Sequence, residues 1–312
     1  MNRLAARVQG IGESVTLQIS ARAKKMKAEG IDVVGFAAGE PDFDTPDHIK
    51  AEAVKAINEG FTKYTPSSGT AELRQAISDK FKKDNGLDYK PSQIVVSNGA
   101  KHSLYNIFEA TCDAGDEVLI PAPYWLSYPA MVKLCAAKPE FIPTTGANNY
   151  KITRTDLESK ITKKTRALVL NSPSNPTGCV YGRKELEFIA EVAVKNKFYV
   201  ISDEIYEKLI YGGKEHVSIA SLGKDIYDLT LTVNGVSKSY SMTGWRIGYA
   251  AGPLDVMTAI GDLQSHAASN PSSISQRAAL EAVTKDQSCL DKMRQEFGTR
   301  RDLMVSLVNS ID

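Results

Sequence analysis

Residues 199–206 read Tyr199-Val200-Ile201-Ser202-Asp203-Glu204-Ile205-Tyr206, an apolar run of strand length that closes on acids and an aromatic. The segment before it, Arg183–Lys195, carries helical spacing, and a further apolar run, Leu229–Val233, lies beyond it. Working outward, the same alternation recurs. Strand-like runs fall at Ile94–Ser97, Glu117–Ile120, Ala167–Leu170 and Arg246–Ala251, with helix-length segments such as His102–Thr111 between them. Strands alternating with helices predict an α/β fold, a mostly parallel sheet covered by helices on both faces. In such a sheet the ligand site forms beyond the carboxyl ends of the strands.

The residues just past the runs are therefore the candidates. They are Asn98-Gly99-Ala100-Lys101, Pro121-Ala122-Pro123-Tyr124-Trp125, the loop Asn171–Gly178, Asp203–Tyr206, and Asn234-Gly235-Val236-Ser237-Lys238. A strand-to-helix turn at Gly99 and Ala100 offers backbone N–H groups to an anion, and Arg246 can give a phosphate two parallel hydrogen bonds or serve an ordinary salt bridge. Lys238 sits in a turn of small, hydroxyl-bearing residues, where partial burial would lower its pKa and free the amine to attack a carbonyl. Asp203 ends an apolar strand, where an ionised carboxylate needs a cation; a protonated pyridine nitrogen or a structural arginine would each serve. Tyr124 and Trp125 can stack on a flat ring or pack a core. Asn175, within Ser174-Asn175-Pro176-Thr177-Gly178, is a donor to a ligand or simply a turn residue.

Composition narrows the partner to a small molecule. The 312 residues are 42% hydrophobic and 24% charged, enough for one large domain and a smaller or incomplete one. Lysine and arginine total 38 against 37 acidic residues, a net charge of +1 that gives no reason to expect nucleic acid or an anionic membrane. Cys112, Cys135, Cys179 and Cys289 are far apart and show no zinc-ligand spacing, so reduced thiols and no metal are expected. The N-terminus has no apolar signal core and no stretch is long and apolar enough to span a bilayer, which predicts a soluble, cytoplasmic protein. Ahead of the sheet lie a helical pattern (Leu17–Glu29), the run Asp32–Ala37 and the turn Gly39–Phe43. After it, Leu280, Val283, Leu290, Met293, Phe297 and Leu303 predict a helix over 280–312 that stops without a cap.

Several of these stretches together resemble the class I/II aminotransferases of pyridoxal-phosphate fold type I, most of all the bacterial aspartate aminotransferase subgroup. The resemblance covers essentially the whole chain. It is carried by Ala38-Gly39-Glu40-Pro41-Asp42-Phe43-Asp44-Thr45-Pro46, Lys63-Tyr64-Thr65-Pro66, Ser172–Gly178, Ser202-Asp203-Glu204-Ile205-Tyr206 and the run Ser237–Tyr249 containing Lys238-Ser239-Tyr240-Ser241-Met242-Thr243-Gly244-Trp245-Arg246. It implies a three-layer α/β/α fold with a mostly parallel seven-stranded sheet and an incomplete second small domain. Residues 1–45 would form an N-terminal arm and part of the small domain, 46–285 the large cofactor-binding domain, and 286–312 the start of a truncated C-terminal small domain.

The resemblance implies pyridoxal 5'-phosphate as cofactor, with Lys238 as the residue that carries it and shuttles the proton. Asp203 would hold the ring nitrogen protonated, Asn175 and Tyr206 would donate to the ring hydroxyl oxygen, and Trp125 would stack on the ring. Gly99, Ala100, Ser237 and Arg246 would surround the phosphate, joined by Tyr64 from a second subunit, which requires a homodimer with shared active sites, and Lys101 would also belong to the cofactor site. For an amino acid and a 2-oxo acid as substrates, Gly39, Trp125 and Asn175 would lie at the α-carboxylate and Lys101 at the distal carboxylate of aspartate or glutamate.

Relatives that accept prephenate carry a basic residue where this chain has Gly12, which argues against prephenate. Members of the family run on for roughly 80 residues, the scale of a small domain, and that part carries the arginine for the substrate α-carboxylate. A chain ending at Asp312 would bind cofactor with transamination crippled; the same residues within a longer chain would make an ordinary enzyme, and the uncapped last helix favours the second. The expected activity is aspartate:2-oxoglutarate transamination in two half-reactions. Its rivals are another aminotransferase or β-lyase of the same fold, and an inactive cofactor-binding form.

Overall fold

The computed structural model describes residues 4–9, 11–36 and 39–311. Ala37 and Ala38, which end the Asp32–Ala37 run and begin the Ala38–Pro46 stretch, lie outside the described residues, and residues 32–36 form no strand. Seven strands make one sheet: β1 Ile94–Ser97, β2 Glu117–Ala122, β3 Lys138–Pro143, β4 Thr165–Asn171, β5 Tyr199–Asp203, β6 Thr230–Gly235 and β7 Gly248–Ala251. Their spatial order is β1-β7-β6-β5-β4-β2-β3. Neighbours are parallel except that β7 runs antiparallel to both β1 and β6. The mostly parallel seven-stranded sheet expected from the sequence is the one observed.

Strands buried on both faces need apolar residues pointing both ways, and β5 and β6 show it, with Val200, Ile201, Leu231 and Val233 all inaccessible. One face is covered by α4 Ala100–Thr111, α5 Ser127–Leu134 and α9 Leu254–Ala267, packed on Val118, Ile120, Val169 and Ile201. The opposite face has two parts. Over β4 and β5 lie α6 Arg154–Lys160, α7 Arg183–Asn196 and α8 Lys224–Tyr227; over β1 and β7 lie α2 Asp47–Asn58, α3 Ala71–Lys80 and α10 Ser273–Thr284. Each fully buried Leu, Ile or Val in these layers contributes roughly 1.5–3 kcal/mol.

Two expectations are corrected. The sequence reading has no strand at 138–143, because Lys138-Pro139-Glu140-Phe141-Ile142-Pro143 carries two prolines. β3 pairs only with β2, and an edge strand tolerates residues without an N–H. The single helix expected over 280–312 is two, α10 and α11 Ser288–Val308. Gln287 Nε2 donates to the carbonyls of Ala282 (2.9 Å) and Lys285 (2.8 Å), and Asp286 Oδ1 accepts from the Ser288 N–H (3.0 Å), so the break is capped from both sides.

The helix expected at Leu17–Glu29 is α1, Val15–Ala28, and it buries none of its residues. Among the described residues no helix is long and apolar enough to cross a membrane.

Candidate active site

The strand order delivers the site. β1, β2, β4, β5 and β6 all point their carboxyl ends the same way, and β7, running back, begins at that edge. The connection from β6 to β7 therefore lies wholly at the site edge, bringing Lys238 at its start and Arg246 at its end to one place. It folds on itself through Met242 N–H to Ser237 O (3.1 Å) and Val236 N–H to Ile247 O (3.3 Å).

At one corner, Gly99 caps the N-terminus of α4 with φ of 87°, a left-handed conformation that favours glycine. Arg246 lies directly against it: a Cβ on Gly99 would overlap the guanidinium. Gly248 does the same for the backbone, since a Cβ there would run into the Ala100 nitrogen. A helix N-terminus, an arginine that donates to Thr243 O (2.9 Å) and Asn98 O (3.3 Å), and two glycines that let them touch make a cradle for a phosphate.

At the centre, Asp203 is 3% exposed. Its Oδ2 accepts from Tyr128 Oη (2.7 Å) and its Oδ1 from the Ile205 N–H (3.3 Å). No ion pair holds it among the described residues. Burial pushes its carboxyl up, and although Tyr128 and Ile205 pull it back, the result is about 6. Tyr128 in turn meets the Trp125 ring edge to face at 5.3 Å. Asn171 Nδ2 donates to Asp203 O (2.9 Å) while its Oδ1 accepts the Asn175 N–H (2.7 Å). That clamp holds Asn175 with its Nδ2 3.4 Å from Tyr206 Oη, two donors converging on one spot.

Lys238 is half-buried, with Nζ donating to Gly39 O (2.5 Å) and lying 5.8 Å from the centre of the Tyr206 ring. Burial lowers its pKa, Glu40 opposes this, and the Arg246 charge lowers it further. The Gly39–Thr45 segment is fastened above it by Thr243 Oγ1 to Glu40, Thr45 Oγ1 to Ser241 O (2.7 Å) and Trp245 Nε1 to Thr45 Oγ1 (2.9 Å). Lys101 Nζ stands 4.9 Å from the centre of the Trp125 ring, with its pKa lowered by burial and by Arg246.

Of the candidates, Gly39, Gly99, Ala100, Lys101, Trp125, Asn175, Asp203, Tyr206, Ser237, Lys238 and Arg246 gather at this edge. Tyr64 does not: it is 91% exposed. Sequence reasoning missed Tyr128, and it offered Asn171 only as part of a candidate loop, with no role of its own. The first lies one helical turn past Trp125, the second opens the Asn171–Gly178 loop, and both look like structural residues until the fold sets them against Asp203 and Asn175.

The chain matches the family described as aminotransferase class I and II over residues 31–312. An aspartate aminotransferase of Bacillus sp. (strain YM-2) is 52% identical over 308 residues, 99% of this chain and 79% of that protein. A probable aspartate/prephenate aminotransferase of Rhizobium leguminosarum bv. phaseoli is 49% identical, over 98% of this chain and 77% of that one. The crystal structure of an aspartate aminotransferase from Rhizobium meliloti superposes with a TM-score of 0.95 at 46% identity, covering 99% of this chain and 78% of the other.

Proposed function

This chain belongs to the class I and II aminotransferase family, and from that premise we propose that it is a pyridoxal-phosphate enzyme moving the amino group of aspartate to 2-oxoglutarate. The observation that carries the reading is Asp203, a buried carboxylate with neutral hydrogen-bond donors and, among the described residues, no ion-pair partner, the Lys238 charge acting on it only from a distance. Such a group calls for a positive charge from a ligand, and a protonated pyridine nitrogen supplies it. The cradle at Gly99, Ala100, Ser237 and Arg246 fits the phosphate of the same cofactor. Bound there, pyridoxal phosphate serves as an electron sink for the substrate carbon next to the amine.

The chain's own residues do the rest. Lys238, its pKa lowered, would attach the cofactor through its amine and, once freed, hold and release the proton at the substrate carbon. Asp203 would hold the ring nitrogen protonated. Asn175 and Tyr206 would donate to the ring hydroxyl oxygen, and Trp125, braced by Tyr128, would stack on the ring. Gly39, beside Lys238, and Asn175 lie where the substrate α-carboxylate would sit. Lys101, over Trp125, presents a cation to a distal carboxylate, which favours aspartate and glutamate over aromatic amino acids. Gly12, where the resemblance puts a basic residue in relatives that accept prephenate, argues against prephenate as a substrate.

Tyr64 is too exposed to serve its own site. It would reach the phosphate of a second subunit, which makes the working form a homodimer with residues 46–285 as its cofactor domain. The test is an absorbance spectrum of the purified protein with pyridoxal phosphate. The visible band of the lysine-bound cofactor should disappear with aspartate and return with 2-oxoglutarate; the absence of any such band contradicts the cofactor assignment, and a band indifferent to aspartate contradicts a complete substrate site within residues 1–312.

A further inference from the structure

Behind Asp203, on the opposite side of the sheet, lies a buried group of charges with no part in the reading above. Glu204 is 1% exposed, and its Oε1 accepts from Ser202 Oγ (2.8 Å) and Ser218 Oγ (2.7 Å). Its Oε2 faces His216 Nε2 (2.9 Å) and Asn85 Nδ2 (3.4 Å). Glu207, also buried, pairs with the Lys80 ammonium at the end of α3 and accepts from Asn85 Nδ2 (2.8 Å). Lys80 closes the circuit by donating to Asn85 Oδ1 (2.8 Å).

Three ligand atoms of Glu204, Glu207 and His216 lie within 4.8 Å of one another, the spacing of a metal site. Lys80 and Asn85 already occupy the carboxylates, however, and a divalent cation would have to expel the Lys80 ammonium from Glu207, its buried counter-charge. The chemistry is that of an internal ion cluster.

Glu204 and Glu207 flank Ile205 and Tyr206, in the turn that Asp203 opens. The Glu204 N–H donates to Val233 O (2.8 Å) and the Glu207 N–H to Glu204 O (2.9 Å), so the turn is tied to β6 by backbone and to α3 and residues 216–218 by side chains. We propose that the Lys80–Glu207–Asn85–Glu204–His216 cluster is a positioning device for the cofactor-facing turn: it fixes Asp203 and Tyr206 from behind, and His216 supplies the cation that cancels the Glu204 charge next to Asp203. The inference rests on the reading of Asp203 as the cofactor's acid. Charge arithmetic supports it, because two carboxylates against Lys80 alone would leave one negative charge behind an acid that is itself unmatched.

The charged groups facing His216 are Glu204 and Glu207 from the turn and Lys80 from α3; farther out, Asp84 lies between Lys208 (2.9 Å) and Lys80 (3.7 Å), its charge matched by Lys208. Burial depresses the imidazole, but Glu204 and then Glu207 outweigh it, so His216 keeps its proton above the ordinary imidazole value.

The test uses the full chain without cofactor and follows Asp203 by carbon NMR through a pH titration. An electrical role requires shifts of opposite sign: Glu204→Gln lowers the Asp203 midpoint and His216→Gln raises it, each by about 0.5–1 unit. The double variant returns it close to the parent value. Shifts of the same sign, or none, in variants that still melt cooperatively would reduce the cluster to simple scaffolding and overturn the proposal. Should the single variants fail to fold, nitrogen NMR of His216 in the unaltered protein decides the matter. A midpoint above 6.5 is expected, and one at or below it contradicts the cation. These outcomes are separate from the cofactor assignment, which fails if pyridoxal phosphate leaves Asp203 unchanged.

Discussion

Asp203, the last residue of β5, and Glu204, the first beyond it, are adjacent in the chain and face opposite sides of the sheet, continuing the alternation of the strand. Both are buried, yet their surroundings differ in kind. Behind the sheet, each carboxylate of the cluster meets a basic side chain, the Lys80 ammonium at Glu207 and the His216 imidazole at Glu204. In front, Asp203 meets a phenol and a backbone N–H. The electrostatic result follows. Although burial pushes Glu207 up, Lys80, His216 and Asn85 bring it down to about 2, whereas Asp203 rises to about 6. A buried acid whose cation is built into the protein belongs to the scaffold; one that lacks it marks where a cationic ligand binds.

The contrast is broken most directly by substitutions on one side only. Lys238→Ala, at the front, should cut steady-state transamination at least about a thousand-fold while leaving the melting temperature within a degree or two of the parent; a variant that still turns over steadily would refute the assigned chemistry.

Asp203→Asn should lower kcat about a hundred-fold or more, yet stabilise the cofactor-free chain. A carboxyl raised from 3.8 to about 6 binds its proton more tightly folded than unfolded. Its ionisation therefore costs nothing below pH 4, and the cost grows to about 3 kcal/mol above pH 6. Denaturant melts at pH 4 and pH 8 check this: the asparagine variant should gain only at pH 8.

At the back, Lys80→Met should do the reverse, removing about 3 kcal/mol or more of stability by stranding Glu207. Its effect on turnover should be far smaller than that of Asp203→Asn, since it reaches Asp203 and Tyr206 only through the turn they share, as urea unfolding and kinetics on the surviving folded fraction would show.

A smaller effect sharpens the same division through pH. Glu207, with its folded pKa depressed from 4.5 to about 2, contributes stability that is complete above pH 4.5 and lost as pH falls through 2. His216, raised above 6.5, contributes stability present below that value and lost as pH rises through its folded pKa. The cofactor-free melting temperature should thus fall on both sides of weakly acidic pH. Adding pyridoxal phosphate should flatten the alkaline limb by the Asp203 share alone.

Much of this was legible in the sequence. Six of the seven strands announce themselves as apolar runs, and the rule that ligands gather at the carboxyl edge of a parallel sheet leads to Asp203, Asn175, Lys238 and the turn at Gly99. β3 is hidden because an edge strand can be built from residues that a central strand forbids. The division between α10 and α11 is hidden because Asp286 and Gln287 act as caps only through their side-chain geometry. Tyr128 and Asn171 escape for a different reason: their roles depend on which strands become neighbours, and β4 and β5 meet across 32 residues of chain in the Asn171–Asp203 hydrogen bond. The charge cluster is the extreme case, with Asn85 and Glu204 119 positions apart.

The decisive measurement is the ionisation of Asp203 itself, followed by carbon NMR in the protein with and without pyridoxal phosphate. A midpoint near 6 without the cofactor, falling below the ordinary aspartate value of 3.8 once the ring cation is bound, is the expected result. An Asp203 that titrates normally in the free chain, or that ignores the cofactor, would contradict the claim that an unmatched buried carboxylate defines this site.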